Sequence, residues 1–450
     1  MSVSDSERLT TLVSPRVRRP LSAYEHGFSV IHEMSPLNVT AWARVHGRVP
    51  EKLLTMAAAR AVAAHPLLRV RVAPGNGTGR WFEPVADPVL PIRIVRANPG
   101  SADAAADEID SVELTTPIDQ RTAPLVRMVD VIHAEGTSDE AHDLILTGAH
   151  LIVDATALIA LLREIITTAA GFRDDTEHPA LPSPYDLVPS RARGLGRTAA
   201  IMLADQIVGA IQRPTRLPVD DWTPIRERRT RLLRRTIDGE RIPALLAACR
   251  RERTTVHGAL TAALAGAVGT DLPGRTGRVT IGSAVNLRTD LRPAIGAGEL
   301  GSYVTDLPGH IAFGPNSDFW ESARAATRNI KRRRSFGQHL STLAAARILF
   351  PPRWEKANRR VVTLLDRQGP FGVGLSNLGP VEFPDRVGAW QVSDAQFTAS
   401  IPTGRIGCSV TTGRDALYWN FGYVEGLIAT ERAERLADEA VTALLAASEF

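Results

Sequence analysis

A polar, proline-rich stretch at residues 173–193 separates two halves that each alternate between strand-like and helix-like patterns. Before this stretch, strands are predicted at residues 37–48, 68–72, 89–95, 125–133 and 144–150, and helices at residues 50–64 and 155–170. After it, helices are predicted at residues 197–212, 242–250, 255–267, 318–333 and 430–447, and strands at residues 279–285, 371–376, 387–397, 405–412 and 416–424. The alternation predicts an α/β protein with lobes at residues 1–175 and 226–450, joined by a linker or crossover at residues 176–225.

The composition is that of a soluble globular protein. A chain of 450 residues suits two lobes of about 200 residues each, and 44% hydrophobic with 23% charged residues is an ordinary balance. The sequence has no apolar run of 18 residues, and residues 1–20 carry acidic and arginine side chains where a signal peptide needs an apolar core. A cytoplasmic monomer without a transmembrane segment is therefore expected.

Charge and cysteine content exclude several functional classes. The net charge of +4 permits nucleic-acid binding, but basic and acidic residues are interspersed and aromatic residues make up only 5% of the chain, so no nucleic-acid partner is expected. Cys249 and Cys408 lie far apart without metal-ligand spacing, which predicts neither a disulfide framework nor a metal site. Motifs of nucleotide-binding, serine-hydrolase and zinc-peptidase sites are absent.

The segment from residue 143 to residue 162 carries the clearest chemical signal. An apolar run ends at His150, and Asp154 follows four residues later, where a strongly apolar helical pattern begins. A histidine at the end of a buried strand can act as the base for an alcohol, amine or thiol nucleophile. The alternative is structural, with His150 as an ordinary strand-end residue and Asp154 as the N-cap of the following helix.

Three further segments place this motif in a family context: His65–Arg69 (HPLLR), Thr254–Ala263 (TTVHGALTAA) and Ser376–Pro380 (SNLGP). In this order along the chain, they resemble the condensation-domain superfamily of nonribosomal peptide synthetases. That superfamily includes chloramphenicol acetyltransferase and polyketide-associated acyltransferases such as phthiocerol dimycocerosyl transferase. The resemblance covers residues 20–446 and implies two chloramphenicol acetyltransferase-like lobes, arranged as a V-shaped pseudo-dimer with an intervening tunnel.

The family motif is HHxxxDG, and this chain departs from it at two positions. Ala149 replaces the first, supporting histidine, while His150 occupies the position of the catalytic one. Ala155 replaces a glycine that permits unusual dihedral angles or a close backbone approach. The geometry of the loop after His150 therefore requires a structure.

The resemblance implies acyl transfer, with His150 as the general base and Asp154 holding its loop through a salt bridge. Arg69 is the first choice for the arginine partner, and Arg288 is the second. Ser376 and Asn377 are candidate oxyanion donors, and the alternative is that they form only a strand-to-turn connection.

Two clusters of basic residues stand out, at residues 226–235 and at residues 331–334. Each is typical of a solvated face or of a helix C-terminus. If the acyl donor is a carrier protein, whose docking surface is typically acidic, the better docking candidate is the second cluster, formed by Lys331, Arg332, Arg333 and Arg334.

These inferences predict an acyltransferase that uses an acyl-coenzyme A or phosphopantetheinyl thioester as donor and needs no cofactor. The acceptor would be a hydroxyl, or an amine, of a lipid, polyketide or other specialised metabolite. The alternative is a non-catalytic condensation-like module that binds a carrier protein or a partner enzyme.

Overall fold

The fold was analysed in a computed structural model that describes residues 16–449, except 76–78, 99, 100, 102, 173–175, 177, 273, 275, 370 and 371. The signal-peptide argument at residues 1–15 and the first residue of the predicted strand at 371–376 thus lie outside the described residues. No helix in the described part of the chain has the length and apolarity required to cross a membrane.

The strands are β1 (Arg19–Pro20), β2 (Asn38–His46), β3 (Val70–Pro74), β4 (Arg80–Pro84), β5 (Ile92–Arg96), β6 (Val126–His133), β7 (Ala141–Ala149), β8 (Thr230–Asp238), β9 (Gly277–Asn286), β10 (Val304–Phe313), β11 (Val373–Pro380), β12 (Arg386–Val387), β13 (Trp390–Val392), β14 (Gln396–Ala399), β15 (Ile406–Thr412) and β16 (Ala416–Val424). The α-helices are α1 (Ala23–Met34), α2 (Glu51–Ala64), α3 (Ala104–Glu108), α4 (Ala155–Ala169), α5 (Leu195–Gln212), α6 (Ile242–Arg251), α7 (Val256–Thr270), α8 (Phe319–Ser335), α9 (Gln338–Leu349), α10 (Glu355–Gln368) and α11 (Thr430–Ser448).

Two large sheets form the centres of two lobes, as the alternating pattern predicts. Among the described residues, the N-terminal sheet has the order β12-β13-β2-β7-β6-β5, with β14 also paired to β2, and the C-terminal sheet has the order β10-β9-β11-β15-β16-β8. Strand β7 is central in the first sheet, and all nine of its residues are buried. Because a strand buried on both faces needs apolar residues at nearly every position, the uninterrupted apolar run before His150 is explained by this location.

Three strands from the C-terminal half of the sequence lie in the N-terminal sheet. Strand β13 pairs with the end of β2, and β14 pairs with β2 from Val39 to Trp42. The predicted strand at residues 387–397 is thus divided into β12, β13 and β14, and these strands are not part of the C-terminal sheet. Residues 386–399 belong structurally to the first lobe, which a single boundary at residue 226 does not describe.

The basic cluster at residues 226–235 is not a solvated face. Most of it forms β8, an edge strand of the C-terminal sheet. The Arg228 guanidinium is buried against Asp366, with a nitrogen–oxygen distance of 2.6 Å. Arg231 pairs with Asp110 of the first lobe at 2.8 Å. These arginines therefore stabilise contacts within and between the lobes.

Helix α1 was not predicted from the sequence, although the sequence contains its start signal. The Ser22 hydroxyl accepts a hydrogen bond from the backbone N–H of Glu25, and the Glu25 carboxylate accepts one from the backbone N–H of Ser22. This reciprocal arrangement is a capping box, which requires Ser or Thr followed three residues later by Glu or Gln. The helix brings Tyr24 and Phe28 to the space between the lobes.

The strands that cross between the lobes generate the first prediction. Trp390 of β13 is buried in the core of the N-terminal lobe, and its indole N–H donates to the carbonyl of Arg48 at 3.0 Å. We expect Trp390→Ala to lower the free energy of unfolding by about 3–5 kcal/mol, because it leaves a cavity and an unpaired carbonyl. Guanidinium chloride unfolding measures this change. Gln391→Ala, at an exposed position of the same strand, is the control, and equal stability of the two variants would contradict the structural role of the crossing strands.

Candidate active site

His150 directly follows β7 and lines a cavity of about 900 Å³ between the two lobes. Its Nδ1 lies 2.9 Å from the carbonyl oxygen of Val153. Since a carbonyl oxygen can only accept a hydrogen bond, Nδ1 of the neutral ring carries the proton and Nε2 carries the lone pair. This tautomer is the one that a general base acting through Nε2 requires.

The surroundings of His150 keep its imidazole neutral. Burial lowers the pKa of His150, and the negative charge of Asp154 opposes this effect only in part. The ring of Phe28 packs against the imidazole with 4.9 Å between ring centroids. The Ser302 hydroxyl lies 3.4 Å from Nδ1. At neutral pH the residue is therefore held in one orientation and in its basic form.

Asp154 combines the two roles that the sequence left open. One carboxylate oxygen accepts a hydrogen bond from the backbone N–H of Ala157 at 3.0 Å, so that Asp154 caps α4. The other oxygen accepts from Arg288 at 2.5 Å and from the backbone N–H of Tyr303 at 2.9 Å. The same side chain thus fixes the helix after the histidine loop and binds that helix to the second lobe.

The choice of Arg69 as partner of Asp154 is wrong, and Arg288, the second choice, forms the ion pair. Arg69 ends the short helix Pro66–Arg69, where burial lowers the pKa of its guanidinium and the neighbouring charges are Arg16 and Asp87. Arg288 is buried, donates further hydrogen bonds to the carbonyls of Gly296 and Glu299, and stacks on the ring of Tyr303. The partner therefore comes from the opposite lobe rather than from a neighbouring segment.

The two departures from the HHxxxDG motif are accommodated without distortion. Ala149 is fully buried at the end of β7, and its backbone N–H donates to the carbonyl of Leu125 at 3.0 Å. Ala155 is the first residue of α4 and is not one of the described residues with positive φ. Because its backbone is ordinary helix, glycine is not required there, and the alanine methyl group only adds to the cavity wall.

The opposite wall of the cavity is the face of the C-terminal sheet, and it is built from very small residues. Gly374 of β11 is paired with Gly282 of β9 on one side and with Gly407 of β15 on the other, and Gly407 is paired with Gly422 of β16. A Cβ atom at Gly374 would meet nothing within 4 Å. We call this set the glycine row. At Gly374 the absent side chain leaves space that a substrate can occupy, whereas the Ile401 side chain packs against Gly407 and Gly422.

The glycine row was missed by the sequence analysis, although the sequence carries a signal for it. Three strands contain an apolar residue, then glycine, then any residue, then serine or alanine: Ile281–Ala284, Val373–Ser376 and Ile406–Ser409. In a strand, alternate positions face the same side, so glycine and serine share one face and the apolar residues share the other. The repeated pattern predicts one face without bulky side chains.

Ser376 and Asn377 of β11 both line the same cavity as His150. Ser376 is paired with Ser409 of β15, next to the glycine row. The side-chain oxygen of Asn377 accepts a hydrogen bond from the backbone N–H of Gly379 at 2.8 Å. Its amide NH₂ group is therefore oriented as a donor away from this turn.

The basic cluster at residues 331–334 forms the last turn of α8, and its members differ in accessibility. Lys331 and Arg332 are exposed. Arg333 is buried and pairs with Asp205 at 2.7 Å, so the expectation that it faces a partner is wrong. Arg334 pairs with Asp290 at 2.7 Å. The Arg333 side chain turns inward and pairs with an acid on α5, and this pairing was not predicted from the sequence.

Other reactive side chains do not form a second catalytic centre with the residues described. Burial raises the pKa of the Cys249 thiol to about 11 and raises that of the Cys408 thiol further, so neither is a ready nucleophile. His65, Glu164 and His178 also form a cluster, and both histidines are buried. The two imidazoles are stacked with 3.8 Å between centroids and only 19° between planes. Because each nitrogen lone pair lies in its own ring plane, two such planes do not converge on one metal ion.

Comparison with solved structures identifies the class of fold. TRI3, a trichothecene 15-O-acetyltransferase from Fusarium sporotrichioides, is similar with a TM-score of 0.73 and 12% identity over 96% of each chain. The condensation domain of the monacolin K polyketide synthase MokA is similar with a TM-score of 0.66 and 14% identity, over 97% of this chain and 98% of that domain. The X-domain solved in complex with OxyB from teicoplanin biosynthesis has a TM-score of 0.64 and 18% identity, over 97% of this chain and 94% of that one.

The chain therefore has the two-lobed fold of these condensation domains and of this acetyltransferase, and the fold that the resemblance implies is confirmed. Residues 226–416 match the family described as phthiocerol/phthiodiolone dimycocerosyl transferase C-terminus. No curated protein sequence matches the chain.

The Asp154–Arg288 pair generates the second prediction. Both side chains are buried, so we expect Arg288→Ala to destabilise the protein by about 3–5 kcal/mol, because an uncompensated charge remains in the interior. The free energy of unfolding measures this cost. Arg292→Ala, which removes an exposed arginine nearby, is the control. The double variant Asp154→Ala with Arg288→Ala should lose less stability than the two single losses added together, and additive losses would contradict the pairing.

Proposed function

We propose that the protein is an acyltransferase that moves an acyl group from a thioester to a hydroxyl group, with His150 as the general base. The observation that carries this proposal is the position of His150 in the cavity, with Nδ1–H bonded to the carbonyl of Val153. A neutral, oriented imidazole with its lone pair on Nε2 is suited to proton transfer. TRI3 is an O-acetyltransferase and the matched family is one of dimycocerosyl transferases, and both support the same class of reaction.

In the proposed reaction, the acceptor hydroxyl attacks the carbonyl carbon of the thioester while Nε2 of His150 takes the hydroxyl proton. The resulting tetrahedral intermediate carries a negative charge on the former carbonyl oxygen. When it collapses, the carbon–sulfur bond breaks and the protonated His150 returns the proton to the leaving thiolate. The products are an ester and a free thiol, and no covalent acyl-enzyme forms.

The charge on the intermediate requires hydrogen-bond donors aimed at the oxyanion. The Ser376 hydroxyl and the Asn377 amide are the proposed donors, since both line the wall opposite His150. Asp154 is a positioning residue, because its oxygens are engaged by Ala157, Arg288 and Tyr303 and not by a substrate. It acts through the geometry of the histidine loop.

The proposed donor is an acyl group on coenzyme A or on the phosphopantetheine arm of a carrier protein, and the proposed acceptor is a lipid, polyketide or other specialised metabolite. Lys331 and Arg332 are the members of the basic cluster with free access to an acidic carrier. The proposed steps use only the chain's own groups and the two substrates. Condensation domains of similar structure work with carrier-protein thioesters, and this supports a carrier-bound donor.

Removing the base tests this proposal. We expect His150→Ala to reduce acyl transfer at least about 100-fold, since general-base catalysis typically contributes that much or more. The assay follows thioester consumption and product mass by mass spectrometry, with acyl-coenzyme A and acyl-carrier donors and with alcohol and amine acceptors. His46→Ala, which removes an exposed histidine at the end of β2, is the control.

Transfer that persists in His150→Ala would remove His150 from the mechanism. A wild type that binds an acyl-carrier protein yet transfers from none of these donors would favour the alternative, a non-catalytic module comparable with the X-domain that was solved in complex with OxyB.

The pH dependence of transfer follows from the electrostatics of His150. Burial lowers the pKa of His150 below its usual value of 6.5, so the basic form persists to lower pH than for a free histidine. We expect the rate to be constant down to about pH 6.5 and to fall only at lower pH. A rate that already declines between pH 8 and pH 7 would contradict a lowered pKa.

The same shift affects stability with a defined sign. Since the unfolded chain binds a proton at His150 more readily than the folded chain does, folding is weakened as the pH falls below about 6.5. His150→Gln, which cannot titrate, should lose less stability than wild type between pH 6.5 and pH 5.

A further inference from the structure

The cavity contains one carboxylate that the proposed reaction does not use. Asp306 lies on β10, the edge strand of the C-terminal sheet, and lines the cavity together with Val304. Alternate residues of a strand face the same side, so Asp306 and Val304 share one orientation, and Ser302 precedes the strand by two residues. The four-residue step from Ser302 to Asp306 spans about 13 Å. Because the Ser302 hydroxyl touches His150, Asp306 lies at a defined distance along the cavity from the base.

The Asp306 carboxylate is open to the cavity but deep within the protein. Its surface is exposed, yet the surrounding protein raises its pKa to about 6 through burial. Both facts hold together because the exposure is to the cavity and not to the outer surface. At pH 7.5 the group is therefore mainly ionised in surroundings of low polarity, where its attraction for a cation is much stronger than in bulk water.

Among the described residues, no hydrogen bond or ion pair neutralises Asp306. The hydroxyl of Tyr24 donates to the carbonyl of Val304 at 2.5 Å and not to Asp306. Burial and the negative charge of Asp306 both raise the pKa of this hydroxyl. The other charged residues of the cavity are engaged elsewhere or lie at its mouth: Arg288 is paired with Asp154, and the exposed Arg163 donates to the backbone carbonyl of Glu382. Asp306 thus has free acceptor oxygens that point into the space that a substrate would fill.

A purely structural role for Asp306, as a charged residue that protects an edge strand, does not fit its position. Charged residues on edge strands prevent pairing with another chain, and this role requires them to face the surroundings at the sheet edge. Asp306 faces the cavity across from α1 and α9, which contribute Tyr24 and Thr342 to the same lining. An unpaired buried charge is also unfavourable for stability, so a carboxylate retained here needs a reason other than solubility.

We propose that Asp306 is a binding subsite for a protonated amine of the acyl acceptor. The acceptor's apolar part lies along Gly282 and Gly374, the part of the glycine row next to β10 that lines the cavity, and its hydroxyl reaches Nε2 of His150. Gly282 of this row and Ala284 lie on the strand that pairs with β10, and Asp306 is directly opposite Ala284. The subsite therefore lies at the edge of the open part of this wall, beside Gly282. This assignment rests on the proposed function only in naming the acceptor as the ligand.

The probes that test the subsite are two long-chain alcohols of matched shape, one ending in a dimethylamino group and the other in an isopropyl group. The first is cationic at pH 7.5 and the second is neutral. Isothermal titration calorimetry of each alcohol, with no thioester present, measures binding separately from catalysis. We expect wild type to bind the cationic alcohol at least about tenfold more tightly, as a charge-assisted hydrogen bond in a partly desolvated site would give.

Asp306→Asn keeps the shape of the side chain and removes the charge, and we expect it to reduce this preference to within about threefold. Glu382→Gln, which removes an exposed acid at the cavity mouth, should retain the preference. We also expect Asp306→Asn to raise the thermal unfolding midpoint, because it removes an unpaired charge from the interior. A lower midpoint would show that the carboxylate has a partner in the protein, and this would overturn the proposal.

Equal affinity of wild type for the two alcohols, absence of binding by either, or a full preference in Asp306→Asn would each overturn the subsite. The acyl-transfer assay is independent of this result. If the calorimetric preference depends on Asp306 but no thioester is ever consumed, the proposed function fails and the cation subsite stands. If transfer occurs without any preference for the cationic alcohol, the proposed function stands and the cation subsite fails.

Discussion

The buried ion pair between Asp154 and Arg288 is the interaction on which the arrangement of the site depends. A carboxylate at the start of α4 would ordinarily cap the helix and do no more. Here its second oxygen binds a guanidinium and a backbone N–H from the other lobe. The loop that carries His150 is thus held between a helix of one lobe and a strand connection of the other. A change in the relative position of the lobes would therefore displace the imidazole of His150.

The cavity exists because the C-terminal sheet has different residues on its two faces. On one face, Ile281, Val373 and Ile406 pack into the core of the second lobe. On the other face, Gly374 leaves the backbone itself as the wall, and Ile401 covers the row at Gly407 and Gly422. The ladder of backbone hydrogen bonds does not need side chains. The sheet therefore keeps its strand pairing although the residues on one of its faces are small. An open site is obtained without an unpaired backbone.

Local features of the site were predictable from sequence, and long-range pairings were not. The strand ending at His150, the helix beginning after Asp154 and the α/β class all follow from patterns within about 15 residues. The arginine partner lies 134 residues from Asp154, and no local signal distinguishes Arg288 from Arg69. The basic cluster at residues 226–235 was interpreted as a solvated face or a helix C-terminus, whereas Arg228 and Arg231 are paired with acids from distant segments. Here, tertiary ion pairs override what charge patterning indicates in isolation.

Two features that were not predicted nevertheless have a signal in the sequence. The capping box at Ser22 and Glu25 marks the start of α1, and the repeated glycine–serine pattern of β9, β11 and β15 marks one empty sheet face. The placement of residues 386–399 in the sheet of the other lobe has no such signal, because it depends on which sheet edge is available for pairing. A strand's own sequence specifies which of its faces is buried, but not which neighbour it joins.

The crossing strands also determine how this protein could be taken apart or recombined. Cutting the chain within the linker at residues 176–225 would not give two self-sufficient halves, because the second half would carry away β12, β13 and β14 from the sheet of the first. An N-terminal lobe transplanted from a relative would have to bring its own equivalent of residues 386–399 or accept a foreign one. Modular exchange in this fold is therefore constrained by a shared sheet and not only by the covalent linker.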